Sequence, residues 1–219
     1  MMRASLRSAL LLSGLALLAA KPAAAQTAPS FDCNQAGTAV ERAICADPSL
    51  SWLDHTMGRL YAALRSGGGA RLRDGQRAWL AARNKCPAEG LRNCLSGQYM
   101  TRFAALASGY DKGRVTGVYS YTDGNGWMTV VPFPDGTLSA RIDTVGAAPT
   151  YPVCRIELDG AAAAKAGARW TDPESPMGDD QHCSIDLGFA GKGATLADHG
   201  CEVAYCGLHG RFAGRYQGN

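Results

Sequence analysis

The 219-residue chain is 46% hydrophobic and 19% charged, with a formal net charge of +3 and eight cysteines. That length admits one or two domains, and so small a charge lacks the concentrated basic excess of a nucleic-acid binder. The basic surplus is moreover confined to the first 21 residues (Arg3, Arg7, Lys21), leaving 19 basic and 19 acidic side chains beyond them.

Met1 to Arg7 is a basic start, Ala9 to Ala20 an apolar run, and Ala23-Ala24-Ala25 supplies small residues before Gln26. This is the pattern of a secretory leader over residues 1–25, cleaved near Ala25. The apolar run is shorter than the roughly 20 residues that cross a bilayer. No cysteine directly follows it, since Ser30-Phe31-Asp32 precedes Cys33. The expectation is a soluble protein, periplasmic or secreted, with no stable membrane anchor.

In an oxidising compartment an even cysteine count points to disulfides. The set is Cys33, Cys45, Cys86, Cys94, Cys154, Cys183, Cys201 and Cys206. Cys201-x4-Cys206-x2-His209, with His182-Cys183 added, is the one arrangement resembling a zinc site. Its spacing fits no standard tetrahedral set, so no metal and no other cofactor is expected. Charge divides by region: residues 26–108 carry 10 basic and 6 acidic side chains, residues 109–219 carry 9 and 13. Such asymmetry steers a charged protein partner, and is equally the signature of two ordinary solvated surfaces.

Residues 26–30 read as a short polar leader, expected to be mobile. Thr38-x-x-Glu41 is a capping box, opening a short helix that buries Val40 and Ile44. Asp47-Pro48 ends it, because the residue before proline avoids the α region, and starts the next helix as N-cap and first residue. From Pro48 to Arg65, Leu50, Leu53, Met57, Leu60 and Leu64 form one apolar stripe; His55 lies off it and is expected in solvent. Ser66-Gly67-Gly68-Gly69 turns the chain back.

A third helix, about Ala70 to Asn84, sets Leu72, Gln76, Trp79, Leu80 and Arg83 on one face. A buried Arg83 needs a carboxylate partner, with Glu41 and Asp54 as candidates and Gln76 as a supporting hydrogen-bond donor. The competing reading makes Trp79 and Arg83 a partner-facing hot spot. A fourth helix, about Leu91 to Ala107, turns Leu91, Leu95, Tyr99, Phe103 and Leu106 inward. Cys86 and Cys94 flank the loop between these two helices and are the natural pair, leaving Cys33 with Cys45; a crossed pairing stays open.

Together these segments carry a recognisable pattern. Phe31-Asp32-Cys33, Val40 to Cys45 (V-E-R-A-I-C), Leu50 to Asp54 (L-S-W-L-D), Tyr61 and Gln76 to Cys86 (Q-R-A-W-L-A-A-R-N-K-C) are followed by Cys94 before an amphipathic helix. Over residues 31–108 this resembles the N-terminal domain of the LprI-type lysozyme inhibitors. The resemblance implies a non-enzymatic protein whose partner is a lysozyme.

Gly109 to Gly113 marks a boundary, after which the period changes from about 3.6 to 2. Arg114 to Tyr121 is a strand, and Asp123-Gly124-Asn125-Gly126 a hairpin turn rather than a calcium loop, because Trp127 occupies a ligand position. Trp127, Thr129, Val131 and Phe133 alternate on the next strand. Leu138, Ala140, Ile142 and Thr144 alternate against Ser139, Arg141 and Asp143 on a half-buried one. Tyr151 to Leu158 is a further strand. Gly160 to Gly178 reads as a loop, with Ala161 to Ala164 suited to one helical turn.

Strands then resume at His182 to Phe189, near Ala194 to Ala197, at Cys201 to Cys206, and at Arg211 to Tyr216. Cys154 shares a face with Ile156 and Leu158, and Cys183 with Ile185 and Leu187, which favours a Cys154–Cys183 bridge and a local Cys201–Cys206 one. The fold class expected is α+β: a disulfide-stapled four-helix unit (26–108), then a small antiparallel β-barrel or sandwich (109–219). The second half is loosely similar to the barrel of the MliC-type lysozyme inhibitors.

No nucleophile–base pair, phosphate-binding glycine loop or metal signature stands out, so an enzyme is not expected. The leading expectation is an exported inhibitor that plugs a lysozyme cleft. Trp79, Arg83, Lys85 and Arg92 are the candidate contact residues. The alternative is a non-inhibitory envelope module that binds peptidoglycan or an envelope protein, with Trp127 and Tyr121 stacking on sugars.

Overall fold

The computed structural model describes residues 27–164, 167–174 and 182–218. The expected secretory leader (1–25) and cleavage near Ala25 lie outside them, as does the stretch 175–181. A 3-10 turn at Cys33–Gln35 leads into helices α1 (Ala39–Ala46), α2 (Pro48–Leu64), α3 (Gly69–Arg83) and α4 (Leu91–Ala107). The local starts are those written in the sequence. Thr38 and Glu41 form a reciprocal capping box, and Asp47 caps α2 by accepting from the amides of Ser49 and Leu50, with Pro48 at the first position. Among the described residues no helix is long and apolar enough to cross a membrane.

Among the described residues eight antiparallel strands follow: β1 (Gly117–Tyr121), β2 (Asn125–Pro132), β3 (Leu138–Val145), β4 (Val153–Ala164), β5 (Gly167–Thr171), β6 (Ser184–Ala190), β7 (Gly193–His199) and β8 (Gly214–Gly218). Each pairs with its neighbour in sequence, and β8 returns to pair with β1, closing a barrel. The architecture is therefore a barrel and not a sandwich. Met128, Val130, Ala140, Ile142, Ile156 and Leu158 fill its interior, all essentially inaccessible.

Several sequence expectations are corrected here. The segment read as a loop from Gly160, with a helical turn at Ala161 to Ala164, is strand on both sides of a hairpin. One extra residue in β4 shifts its register against β3 between Leu138 and Ala140. Gly160 sits at that bulge with φ of 68°, a left-handed conformation that glycine adopts without strain. The bulge kinks the strand and lets it continue. Cys201 to Cys206 is likewise no strand: Glu202–Tyr205 is a short helix, α5, with the two cysteines at its ends.

That helix decides the disulfides. All four bridges form, and no cysteine is free. Cys33–Cys45 and Cys86–Cys94 pair as the spacing suggested. In the barrel, however, Cys154 joins Cys206 and Cys183 joins Cys201. Cys154 and Cys183 do point into the same core, but β5 runs between their strands. α5 instead points its two terminal cysteines at different neighbours, and Cys206 pairs with Cys154 in an isolated bridge.

The barrel's outer face also departs from a simple half-buried sheet. Every residue of β3 except Val145 is buried, so its polar face is covered as completely as its apolar one. The cover is the helical unit. Val131 and Phe133, from the outer face of the β2 hairpin, belong to the same apolar cluster as Val40, Leu60 and Phe103, and the Arg59 guanidinium lies 4.9 Å over the Phe133 ring. Arg141 grips Asp143 through Nε and Nη2 (2.7 and 3.1 Å) and turns Nη1 to Glu157. Arg155 adds a 2.7 Å contact to Asp143, while Arg59 pairs with Asp159 at the β4 bulge.

The segment expected to be a mobile leader is part of this seam. Thr27 donates to Glu157, Ala28 offers its carbonyl to His55, and Ser30 donates twice to Asp54. His55 is accordingly only part-exposed. Non-reducing peptide mapping of the oxidised protein should recover Cys154 linked to Cys206 and Cys183 linked to Cys201; a Cys154–Cys183 peptide would contradict the strand order.

Candidate functional site

The four residues expected at a partner surface divide into two pairs. Trp79 and Arg83 face inward, 8% and 6% exposed. Asp54 on α2 is the carboxylate that meets Arg83, at 3.0 Å. Its Oδ1 also accepts from the Tyr99 hydroxyl of α4 at 2.5 Å, and its Oδ2 from the Ser30 amide and hydroxyl. The Arg83 guanidinium is completed by Tyr99 and by the Asn84 side chain. Burial, with the Asp54 carboxylate beside it, drives the Tyr99 hydroxyl far above its ordinary pKa. Trp79 stands edge-on to Tyr99 at 5.3 Å and donates its indole N–H to the Gln98 carbonyl.

This is one satisfied polar centre holding three helices and the N-terminal segment together. Gln76 is not part of it: its carbonyl accepts from Arg102. Leu80, expected on the same inward face, is 36% exposed. The apolar face of α3 is narrower than its periodicity suggested, with only Gln76, Trp79 and Arg83 buried. Glu41 is absent from the centre as well; its capping contacts with Thr38 hold its carboxyl below the ordinary range.

Lys85 and Arg92 face outward. They bracket the loop between α3 and α4, whose residues from Asn84 to Gly90 are exposed apart from Cys86. The Cys86–Cys94 bridge closes that loop over a separation of 8 residues. Lys85 makes no ion pair among the described residues. Arg92 reaches the Asp47 cap at 2.6 Å with its side chain still 52% exposed. Asp47 thus serves two helices, one oxygen capping α2 and the other holding the first turn of α4. Partial burial pushes the Asp47 carboxyl up, but Arg92 and the capping amides outweigh this and leave it below its ordinary value.

Beside this loop lies a groove of about 310 Å³ between the helical unit and the barrel, lined by Trp52, Arg92, Asn93, Ser96, Trp127 and Arg141 among others. Trp127, singled out in the sequence, is 43% exposed on its rim. Tyr121 is not there; it packs tilted against Tyr216 with ring centroids 4.9 Å apart and donates to the Ala213 carbonyl. Asn93 and Ser96 carried no signal in the sequence. Only the crossing of α4 over the outer face of β2 brings them to Trp127.

Among known proteins, the family profile described as "Lysozyme inhibitor LprI" matches residues 32–112. Proteins named "Lipoprotein LprI" from Mycobacterium tuberculosis and Mycobacterium bovis are each 34% identical to this chain over 99 residues, 42% of this chain and 50% of theirs. The chain therefore spans about half the length of the curated relatives it matches. No solved structure matches it.

Two measurements check the site's electrostatics. Arg83→Met strands the Asp54 carboxylate in the helical core and should lower unfolding free energy by about 3–5 kcal/mol. Denaturant titration reads this, and adding Asp54→Leu should restore part of the loss. For Asp47, a folded-state pKa below the unfolded one contributes stability that is present above the unfolded value and fades as pH falls through the folded one. The stability gap between wild type and Asp47→Asn should thus be full at neutral pH and shrink below about pH 4.

Proposed function

We propose, on the premise that residues 32–112 belong to the LprI lysozyme-inhibitor family, that the chain is an exported lysozyme-inhibitor-like protein acting by occlusion. The leader over residues 1–25 sends it out of the cytoplasm, and cleavage near Ala25 releases it into the periplasm or beyond. Residues 26–108 form the inhibitory unit, and residues 109–219 the barrel that supports it. It binds another protein and performs no chemistry of its own.

The observation that carries this reading is the exposed loop between α3 and α4. A lysozyme cleft works with two carboxylates, so a rigid protrusion bearing a cation complements it. Lys85 supplies that cation with no ion pair among the described residues, and the Cys86–Cys94 bridge restrains the loop before binding, which reduces the ordering cost of association. Arg92 is already paired with Asp47, so Lys85 leads and Arg92 assists. Trp79 and Arg83, being buried, act only by holding the end of α3 in place.

Purified oxidised protein should slow lysozyme-driven lysis of cell walls at micromolar concentration. Lys85→Glu combined with Arg92→Glu should weaken inhibition by about tenfold or more, with Lys85→Glu alone accounting for most of it. Absence of inhibition across c-, g- and i-type lysozymes would reject the proposal. Exposed Trp127 supports a second reading, a non-inhibitory module that binds peptidoglycan or an envelope protein, and retention on purified sacculi without lysozyme would favour it.

A further inference from the structure

The groove between the helical unit and the barrel has the chemistry of a carbohydrate site. Its floor is apolar: Trp52 and Leu53 are nearly inaccessible, and Met100 and Val118 complete the wall. Its rim carries one large aromatic ring, Trp127, 43% exposed although its strand neighbours Met128 and Thr129 are buried. A tryptophan left open beside an apolar hollow presents a flat face to which the C–H face of a sugar ring can stack.

Polar groups converge on the same hollow. The side chains of Ser49, Asn93 and Ser96 line it and make no hydrogen bond among the described residues, so hydroxyl and amide groups stand ready for a ligand. The charged groups do not. Arg92 is matched by Asp47, and Arg141 by Asp143 and Glu157. With both guanidiniums already neutralised, the groove has no unpaired charge to offer an anion and suits a neutral, hydrogen-bonding ligand instead. Its volume of about 310 Å³ is at the small end for ligand pockets, enough for a single ring and its substituent.

We propose that this groove binds one neutral N-acetylated hexosamine unit of a glycan, the ring stacking on Trp127. Asn93, Ser96 and Ser49 bond its hydroxyl and amide groups, and the acetamido methyl packs toward Met100 and Val118. The proposal sharpens the glycan-binding reading and does not depend on lysozyme inhibition. It places the contact on a different surface from Lys85, sharing only Arg92 with it.

The test is titration of the oxidised protein, with no lysozyme present, with chitotriose and separately with maltotriose. Binding is followed by the indole N–H resonances of Trp52 and Trp127. Chitotriose should shift both saturably in the millimolar range or below, and maltotriose should not. Trp127→Ala, at an exposed position, should weaken the response by about tenfold or more. Ser96→Trp, which fills the groove, should abolish it while leaving the circular dichroism spectrum unchanged. Unmoved indole resonances at millimolar chitotriose, an equal response to maltotriose, or binding indifferent to both substitutions would overturn the assignment. Retention on sacculi with the groove unmoved would keep the envelope reading and reject the groove as its site.

Discussion

The helical half is organised around a single buried carboxylate. Asp54 lies under three helices, where an isolated negative charge would cost several kcal/mol. It is tolerated because Arg83, Tyr99 and Ser30 surround it with donors. Each partner comes from a different segment, so satisfying the charge is the same event as docking α3, α4 and the N-terminal strand of chain onto α2. A carboxylate with fixed lone pairs fixes their register, and the Cys33–Cys45 and Cys86–Cys94 bridges hold the ends of the arrangement.

The barrel is joined to that unit by an ion pair, Arg59 with Asp159, by hydrogen bonds and by an apolar contact. The outer face of β3 carries Ser139, Arg141 and Asp143, residues that in an open sheet would face water. Here they are buried beneath α2 and neutralise one another through a chain running from Arg155 through Asp143 and Arg141 to Glu157. Phe133 and Val131 add the apolar part of the contact. Those charges pair within the barrel, and the polar contacts that cross the seam, Arg59 to Asp159, Thr27 to Glu157 and Arg141 to the Pro48 carbonyl, fix how the helices sit on it. The two halves consequently hold a defined groove between them, with α4 on one bank and β2 on the other.

What the sequence revealed follows from how local each signal was. The capping box at Thr38 and Glu41, the Asp47-Pro48 break, and the helical disulfides depend on residues close in the chain, and all stand as read. That Arg83 needs a carboxylate was also legible, since a charge on an apolar stripe demands an answer nearby, but the sequence left Glu41 and Asp54 as equal candidates and only the packing of α3 on α2 selects Asp54. The barrel's disulfides were not. Cys154 and Cys183 were placed on the correct face, but their pairing depends on strand order and on four helical residues at Glu202–Tyr205 that look like strand. The alternation in β3 gave its inner face and concealed that its outer face would be covered. The bulge at Gly160 hid the continuation of β4 because glycine reads as punctuation in either case. The groove residues Asn93 and Ser96 belong to no motif; their meaning exists only once two units are packed.

Closure of the sheet has a bearing on recognition generally. With β8 hydrogen-bonded to β1, the strand order closes on itself, and among the described residues no strand lies at a free edge of the sheet. An incoming polypeptide cannot extend it, and neither can a second copy of the same chain. Whatever meets this half of the molecule must be read by side chains and connecting segments, which leaves main-chain templating out of its repertoire and protects it from fibre-like self-association.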